Sequence, residues 1–347
     1  MKYKILGRSG LRVSELCLGT MTFGEDLGTG ASKEVSRKIY GRYREAGGNF
    51  LDTANIYTRG TSERMLGEFI AGEREQVIVA SKYSMSTNLA EPNCSGNHRK
   101  NMVQALEASL QRLNTDYLDI YWVHGWDQIT RVDEVMRALD DLVRSGKVLH
   151  VGASNLPAWY IAEANTLAAE RNLTPFTALQ LHYNLVERSI EADFFDLAVA
   201  HDMALTAWSP LAGGLLTGKY NRNASRAAAD DARLKLASYG PAMLADQRLA
   251  IAEGLTKLAA AAGCEPVALA LAWLLQRPQG KVIPILGARS LEQFDANMAC
   301  LDISLNQTQI DELDILAPPP PTYPASLFQT DFYRTMMHGE KCDQVEP

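Results

Sequence analysis

This chain of 347 residues lacks the sequence features that mark membrane, secreted and nucleic-acid-binding proteins. No segment approaches 18 consecutive apolar residues, and the two lysines behind Met1 are not followed by an apolar run, so neither a membrane span nor a secretion signal is predicted. The formal net charge is −7, and there is no block of lysine and arginine that would bind phosphates. We therefore expect a cytoplasmic protein without a membrane or nucleic-acid partner.

Cysteine is scarce as well. The five cysteines are odd in number and widely spaced, and no two form a C-x-x-C pair. This usage is typical of free thiols in a reducing cytosol and argues against a disulfide framework or a zinc site. An H-E-x-x-H motif is also missing. We predict that the protein holds no metal.

What is present is a regular alternation. Short runs rich in Val, Ile, Leu and Tyr alternate eight times with stretches of helical period, and Ser32 and Ser62 stand where two of these helices are predicted to begin. The predicted strands are Leu16–Thr20, Asn49–Thr53, Val77–Ser81, Tyr117–Val123, Val148–Ala153, Thr177–Leu181, Ala204–Ala207 and Lys281–Leu286.

Eight β-α units spaced by about 30 residues, with no break in composition, predict an α/β fold. We expect one (β/α)₈ TIM barrel domain spanning residues 1–347. Two segments lie outside the repeat. Residues 1–15 contain a glycine-turned hairpin expected to plug the lower end of the barrel. Residues 318–347 form an aromatic tail that is expected to lie over the barrel mouth, the alternative being a loosely attached tail.

Polar residues follow the predicted strands at the point where each strand ends. Asp52 and Tyr57 follow the second strand. Lys82 follows the third and His124 the fourth. Because the carboxyl ends of barrel strands meet at one face, we expect these side chains to converge there. Later strands are followed in the same way by Ser154, Asn155, Gln180, Trp208, Ser209, Gly287 and Arg289.

The residue types at these positions suit acid–base chemistry. A phenol has a pKa of about 10, and a nearby ammonium favours the phenolate, so Lys82 is expected to lower the pKa of Tyr57. Asp52 would hold Lys82, and His124 would bond the substrate oxygen. Tyr57 would then be the general acid in reduction and the general base in oxidation.

Such a site needs an electron source. The Rossmann G-x-G-x-x-G fingerprint is absent, and the near match to a phosphate loop at Gly213–Lys219 has Tyr220 where a Ser or Thr is required. The glycines can still bring backbone N–H groups to a pyrophosphate. Trp208 offers a flat face to a nicotinamide, and Arg289 at a helix start suits an adenosine 2′-phosphate. Partners for the carboxamide would be Ser154, Asn155 and Gln180.

In this order the residues resemble the aldo-keto reductase superfamily, over a stretch from about Lys4 to about Leu301. Within it, the chain looks like the aryl-alcohol dehydrogenase-like or potassium channel β-subunit-like branch. The likeness is carried by GRSGLRVSELCLGTMTFG, FLDTANIY, IVASKY, DIYWVHGWD, VGASN, TAWSPLAGGLLTGKY and VIPILGARSLEQFDAN.

The resemblance implies a catalytic tetrad, and all four of its positions hold the expected residue: Asp52, Tyr57, Lys82 and His124. It also implies NADP(H) bound without a Rossmann domain. The stretch after strand eight departs from the Pro-Lys-Ser of many relatives, and Arg289 would replace that lysine. The implied cofactor contacts are Thr20, Met21, Asp52, Ser154, Asn155, Gln180, Trp208, Ser209, Leu211, Gly213, Lys219, Arg233, Gly287, Arg289, Gln293 and Asn297.

The expected function is NADP(H)-dependent interconversion of aldehydes or ketones and alcohols, with aryl aldehydes or bulky natural-product or xenobiotic ketones as substrates. One alternative is a redox-sensing regulatory subunit that binds NADP(H) with negligible turnover. Another is a non-redox barrel enzyme with Lys82 as a Schiff-base nucleophile. An apolar substrate pocket would draw on Phe23, Tyr83, Met85, Trp126 and the aromatic tail, or these residues only pack the barrel.

Overall fold

A closed barrel of eight parallel strands forms the body of the protein in the computed structural model, which describes residues 1–26, 28–219, 245–277, 281–328, 330–339 and 341. The strands are β1 (Tyr3–Ile5), β2 (Arg12–Ser14), β3 (Cys17–Gly19), β4 (Phe50–Asp52), β5 (Ile78–Tyr83), β6 (Leu118–Val123), β7 (Val148–Ser154), β8 (Phe176–His182), β9 (Ala204–Trp208) and β10 (Val282–Leu286). Strands β3 to β10 close the barrel in chain order, with β10 pairing β3. All eight predicted strands are confirmed to within two residues at each end.

Helices follow the barrel strands. Their bounds are α1 (Lys33–Glu45), α2 (Thr61–Ile70), α3 (Arg99–Leu113), α4 (Val132–Arg144), α5 (Ala158–Arg171), α6 (Phe194–Ala200), α7 (Asp246–Ala262), α8 (Pro266–Leu275), α9 (Leu291–Met298), α10 (Gln307–Leu316), α11 (Ala325–Phe328) and α12 (Asp331–His338). Ser32 caps α1 as predicted, because its side chain accepts a hydrogen bond from the Val35 N–H. The prediction for Ser62 is wrong. Helix α2 is capped by Gly60, and Ser62 is buried in its first turn.

Alternation along the strands sorts side chains into the barrel interior or against the helices. The interior holds apolar residues of β3 to β6 and β8 to β10, such as Ala80, Trp122 and Ala178. On β7, Gly152 leaves room for the Trp122 ring: a Cβ added there would lie 2.2 Å from the indole. The interior is therefore a packed core and not a channel.

The N-terminal hairpin closes the lower end of this core, as predicted. Strands β1 and β2 pair antiparallel, and Leu6 and Val13 are fully buried among the interior residues. Gly7 lies so close to the beginnings of β8 and β9 that an added Cβ would be 2.2 Å from the Thr177 carbonyl oxygen. Access to the interior is thus left at the opposite end, the mouth.

The C-terminal part divides into an anchored helix and an exposed tail. Helix α10 is tied to the barrel by Asp314, which accepts hydrogen bonds from Arg188 (2.9 Å), Arg277 (2.9 Å) and the indole of Trp273 (3.1 Å). Beyond it, the described side chains are largely exposed, and Phe332 keeps 71% of its surface. That the tail covers the mouth stays a prediction.

Two further observations concern the described residues. No single helix there is long and apolar enough to cross a membrane. Among these residues, α7 and α8 would be long and apolar enough only when taken as a pair, and they are bent by 92° relative to each other. In the same ranges, no group of three or more His, Cys, Asp or Glu side chains could hold a metal ion.

Candidate active site

The predicted catalytic side chains stand at inward positions near the mouth. Lys82 is two residues beyond the interior residue Ala80 on β5, and His124 is two residues beyond Trp122 on β6. Gln180 has the same relation to Ala178 on β8. Because every second residue of a strand faces the same side, the polar groups form a layer directly above the apolar interior.

Lys82 is the centre of this layer and is fully buried. Its Nζ donates to Asp52 Oδ2 at 2.5 Å, to the Thr53 carbonyl at 2.7 Å and to the Tyr57 hydroxyl at 3.1 Å. The second oxygen of Asp52 accepts a hydrogen bond from Gln180 Nε2 at 2.9 Å. The structure therefore brings Asp52, Tyr57 and Lys82 together as predicted, and the three donor sites of the ammonium are all satisfied.

A short strained loop after β4 holds Tyr57. Thr58 and Arg59 have positive φ values of 44° and 54°, which non-glycine residues rarely adopt. The Thr58 hydroxyl bonds the Phe23 carbonyl at 2.8 Å and accepts from the Ser62 N–H at 3.0 Å. These contacts hold the backbone in its unfavourable conformation, which is a pattern found where function requires it.

Burial changes the pKa values of this pair. Burial of the Tyr57 hydroxyl raises its pKa, and the Lys82 charge opposes this rise. Burial also disfavours the ammonium of Lys82, but Asp52 and Tyr57 together outweigh it and raise the pKa of the lysine. The prediction that the pKa of Tyr57 is lowered is therefore wrong for this structure, although Lys82 acts in the predicted direction. Tyr57 is a phenol and Lys82 an ammonium at neutral pH.

His124 completes the site as a neutral imidazole. Its ring lies edge-on to that of Tyr57, with centroids 6.1 Å apart. Burial, with Lys82 as a second cause, lowers the pKa of His124 to about 3. Its Nδ1 is buried without a hydrogen-bond partner among the described residues. The backbone beside it is held by Asn155, whose amide donates to the His124 carbonyl at 2.9 Å.

The residues predicted to meet a nicotinamide lie at the ends of β7, β8 and β9. Asn155 Oδ1 accepts from the Trp208 indole N–H at 3.1 Å, and Asn155 Nδ2 also donates to Ser154 Oγ at 2.9 Å. Trp208 is partly exposed at the mouth. Gln180 is buried and its NH₂ is engaged by Asp52. Ser154, Asn155 and Trp208 thus form a hydrogen-bonded wall at the mouth, with Gln180 on the strand between them.

The loop after β9, predicted to present backbone N–H groups to a pyrophosphate, uses two of them internally, and the Gly214 N–H donates to the Leu211 carbonyl at 2.9 Å. Gly213 and Gly214 have φ values of 65° and 100°, and the Gly213 N–H is held by Ser209 Oγ at 3.2 Å. Leu211 and Gly213 are partly exposed and Lys219 is exposed. Arg233 lies outside the described residues, so its predicted role is untested.

The predicted phosphate end lies after β10. Ser290 caps α9, and the Gln293 side chain accepts from the Arg289 N–H at 3.0 Å, so the helix opens with Arg289 beside its N-terminus. Asn297 Nδ2 donates to the Gly287 carbonyl at 3.2 Å. A Cβ added at Gly287 would meet nothing, which shows open space at this point of the mouth.

Thr20, which follows the first barrel strand, makes buried hydrogen bonds that the sequence analysis did not predict. Thr20 is fully buried, and its hydroxyl bonds the Asp52 carbonyl at 3.1 Å and Ser62 Oγ at 2.7 Å. Ser62 also lies 3.0 Å from Thr53 Oγ1, so one serine joins β3, β4 and α2 beneath Tyr57. Met21, in contrast, is 58% exposed. No pattern in the sequence distinguished Ser62 from a helix cap.

Apolar side chains at the mouth differ from the expected set. Phe23 and Tyr83 are buried in the core, where Phe23 packs on Phe69 and Tyr83 stacks on Tyr121. Met85 remains 41% exposed. Trp126, two residues after His124, lies edge-on to the unpredicted Trp159, and both rings pack against Tyr160.

Comparison with known proteins gives a consistent result. The family model described as "Aldo/keto reductase family" matches residues 15–318. The norsolorinic acid reductase of Emericella nidulans is 37% identical over 321 residues, which cover 89% of this chain and 80% of that protein. An aryl-alcohol dehydrogenase of Phanerodontia chrysosporium, whose name specifies NADP(+), is 34% identical over 343 residues, covering 92% of this chain and 86% of its own.

Proposed function

Since this chain belongs to the aldo/keto reductase family, in its aryl-alcohol dehydrogenase-like branch, and is an oxidoreductase acting on carbonyl or alcohol groups, we propose that it uses NADP(H) to interconvert aryl aldehydes or ketones and their alcohols. We propose the cytoplasm as its location. The observation that carries the proposal is the buried contact of Lys82 with Asp52 and Tyr57.

Tyr57 is the proton donor in this account. Its raised pKa keeps the hydroxyl protonated at neutral pH, which is the form a general acid needs in reduction. When the proton leaves, the Lys82 ammonium at 3.1 Å stabilises the phenolate that remains, and Asp52 keeps that ammonium in place. Neutral His124, whose ring lies edge-on to that of Tyr57, donates or accepts a hydrogen bond at the substrate oxygen without competing as an acid.

The residues at the mouth fit the chemistry of NADP(H). Trp208 offers a flat surface to a nicotinamide, and Ser154 Oγ–H and Asn155 Oδ1 offer a donor and an acceptor to its carboxamide. A pyrophosphate would lie against the Gly213 loop, whose glycines permit close approach of the backbone. Arg289 at the N-terminus of α9 suits a 2′-phosphate. When bound, the cofactor would supply the hydride that goes to the carbonyl carbon.

Aryl substrates are favoured by the tryptophan pair at the mouth. Trp126 is two residues beyond His124, and its ring lies edge-on to that of Trp159, with centroids 5.6 Å apart. Trp159 is 57% exposed, so part of its ring is available to another molecule. Aromatic rings stack on such surfaces with a gain of about 0.5–1.5 kcal/mol. The named activity of the Phanerodontia chrysosporium relative, on aryl alcohols, supports the same class.

The experiment is to measure NADPH binding by tryptophan fluorescence and then NADPH oxidation with matched aromatic and short aliphatic aldehydes. We expect binding, turnover of both aldehydes and a higher kcat/KM for the aromatic one. In Trp159→Ala this preference should shrink while the aliphatic aldehyde is reduced as before. Binding without turnover would support the redox-sensing alternative, and absence of binding would contradict the cofactor assignment.

A further inference from the structure

A second ring lies flat against Trp208. His182 ends β8, Trp208 ends β9, and the two residues are directly paired in the parallel register. Their ring centroids are 4.1 Å apart and the ring planes differ by 9°. Stacking this close covers one face of the indole, and Trp208 remains partly exposed. His182 has the inward position two residues beyond Gln180, so it belongs to the same wall of the mouth.

The imidazole of His182 is itself held in place. Asn184 is buried, and its Nδ2 lies 3.2 Å from His182 Nε2 and donates to the Ser209 carbonyl at 2.9 Å. An amide NH₂ only donates, so Nε2 is the acceptor and the proton of the neutral ring is on Nδ1. Burial lowers the pKa of His182 to about 4, with Glu187 opposing and Arg248 adding to this effect. A neutral, oriented ring therefore backs the indole.

The opposite edge of the indole is fixed by a different group. The Trp208 N–H donates to Asn155 Oδ1 at 3.1 Å, and Asn155 also donates to the His124 carbonyl. Stacking and hydrogen bond together restrict both the tilt and the rotation of the ring. A continuous series of contacts thus runs from His182 through Trp208 and Asn155 to the backbone of the proposed substrate-binding histidine.

We propose that His182 is a positioning residue that backs the Trp208 indole, so that the opposite face of the indole is preorganised to receive the nicotinamide ring of the cofactor. This inference rests on the proposed function, because it concerns the cofactor of that same site. His182 acts through Trp208 and does not touch the reacting atoms. Substitution of His182 should therefore weaken binding of the nicotinamide half of the cofactor alone. A general loss of folding would weaken binding of both halves.

The test compares two ligands in three variants by titration calorimetry. NADPH carries the nicotinamide, and 2′,5′-ADP represents the adenosine half alone. We expect His182→Ala to weaken NADPH by about 2- to 10-fold, the change that one aromatic pair produces, and to leave 2′,5′-ADP unchanged. His182→Phe keeps a flat ring and should restore NADPH affinity. His201→Ala, at the end of α6, is the matched control and should bind both ligands as wild type does.

The outcomes separate this proposal from the function on which it rests. If wild-type protein binds neither ligand, the proposed function fails. If His182→Ala weakens both ligands equally, or if His182→Phe does not restore NADPH affinity, the positioning role is wrong. Tighter NADPH binding in His182→Ala would also overturn it, since it would mean that the imidazole occupies the place of the nicotinamide.

Discussion

At the scale of single residues, His124 shows how burial sets the state of the site. Its imidazole is buried and its pKa is lowered to about 3. In the unfolded chain a histidine binds a proton near pH 6.5. The folded pKa is the lower one, so the stability associated with His124 is present above pH 6.5 and is lost as the pH falls toward 3.

This pKa difference predicts an effect of pH on folding. Between pH 7 and pH 5, the wild type should lose about 2 kcal/mol more unfolding free energy than His124→Gln, which has no imidazole to protonate in the unfolded state. Urea unfolding of both proteins at the two pH values measures the difference. Equal losses would show that the pKa of His124 is not lowered in the folded protein.

Arg289 is the residue on which the choice of cofactor depends. A charge-assisted contact with a 2′-phosphate would be made by NADPH and not by NADH. Arg289→Ala should therefore weaken NADPH about 10- to 100-fold and leave NADH nearly unchanged, as measured by fluorescence titration. Arg8→Ala, on the hairpin at the opposite end of the barrel, is the control. Similar weakening of both cofactors would remove Arg289 from this role.

The sequence predicted which residues form the candidate site, but it did not predict how burial changes their pKa values. Asp52, Tyr57 and Lys82 could be found because each follows a strand of a barrel, and strand ends meet at one face. The direction of the Tyr57 pKa could not, since it depends on how burial compares with the Lys82 charge. His182 was also missed, although its spacing of two residues from Gln180 gives an inward position.

At the scale of elements, the barrel interior depends on a fit between two strands. Gly152 on β7 faces the Trp122 ring of β6, and an added Cβ would lie 2.2 Å from the indole and 3.1 Å from the Ala178 carbonyl oxygen. Neither neighbour is the movable end of a flexible side chain. A methyl group therefore cannot enter without displacing the ring or the backbone.

We expect Gly152→Ala to lower the free energy of unfolding by about 1–3 kcal/mol, the usual cost of overpacking a core. Gly41→Ala is the control, because Gly41 lies within α1 and an added Cβ there meets nothing. It should be neutral or stabilise by up to about 1 kcal/mol through helix propensity. Urea unfolding measures both, and an unchanged Gly152→Ala would contradict the described packing.

The existence and order of the barrel strands followed from their apolar runs, because these strands are buried on both sides over most of their length. Helix starts were less predictable. Ser32 caps α1, whereas Ser62 has the same residue type before a similar apolar pattern and bonds Thr20 and Thr53 instead. The local patterns were similar in the two cases, and the tertiary contacts of Ser62 with Thr20 and Thr53 decided the difference.

At the scale of the whole molecule, the hairpin and the tail differ in how they meet the barrel. The hairpin buries Leu6 and Val13 in the interior, which its Gly-turned sequence allowed us to predict. The described tail keeps aromatic side chains such as Phe332 exposed. The sequence shows that the tail carries aromatic residues, but it does not show what they pack against. The predicted position of the tail over the mouth therefore has to be tested directly.

Deletion of residues 319–347 tests that position. Few contacts should be lost, so we expect the unfolding free energy to change by less than about 1 kcal/mol. If the tail covers the mouth, the KM for an aryl aldehyde should rise severalfold, while the KM for a short aliphatic aldehyde changes little. Equal KM values for the aryl aldehyde in the wild type and in the shortened protein would instead indicate the loosely attached tail.

The most direct test of the central claim is the turnover of Tyr57→Phe, measured together with its affinity for NADPH. The hydroxyl bonded to Lys82 is the proposed proton donor, so kcat should fall by about 100- to 10,000-fold with the affinity for NADPH nearly unchanged. Tyr117→Phe, at the beginning of β6 and far from the mouth, should retain full turnover. Turnover by Tyr57→Phe at the wild-type rate would show that the phenol is not the acid and would contradict this account.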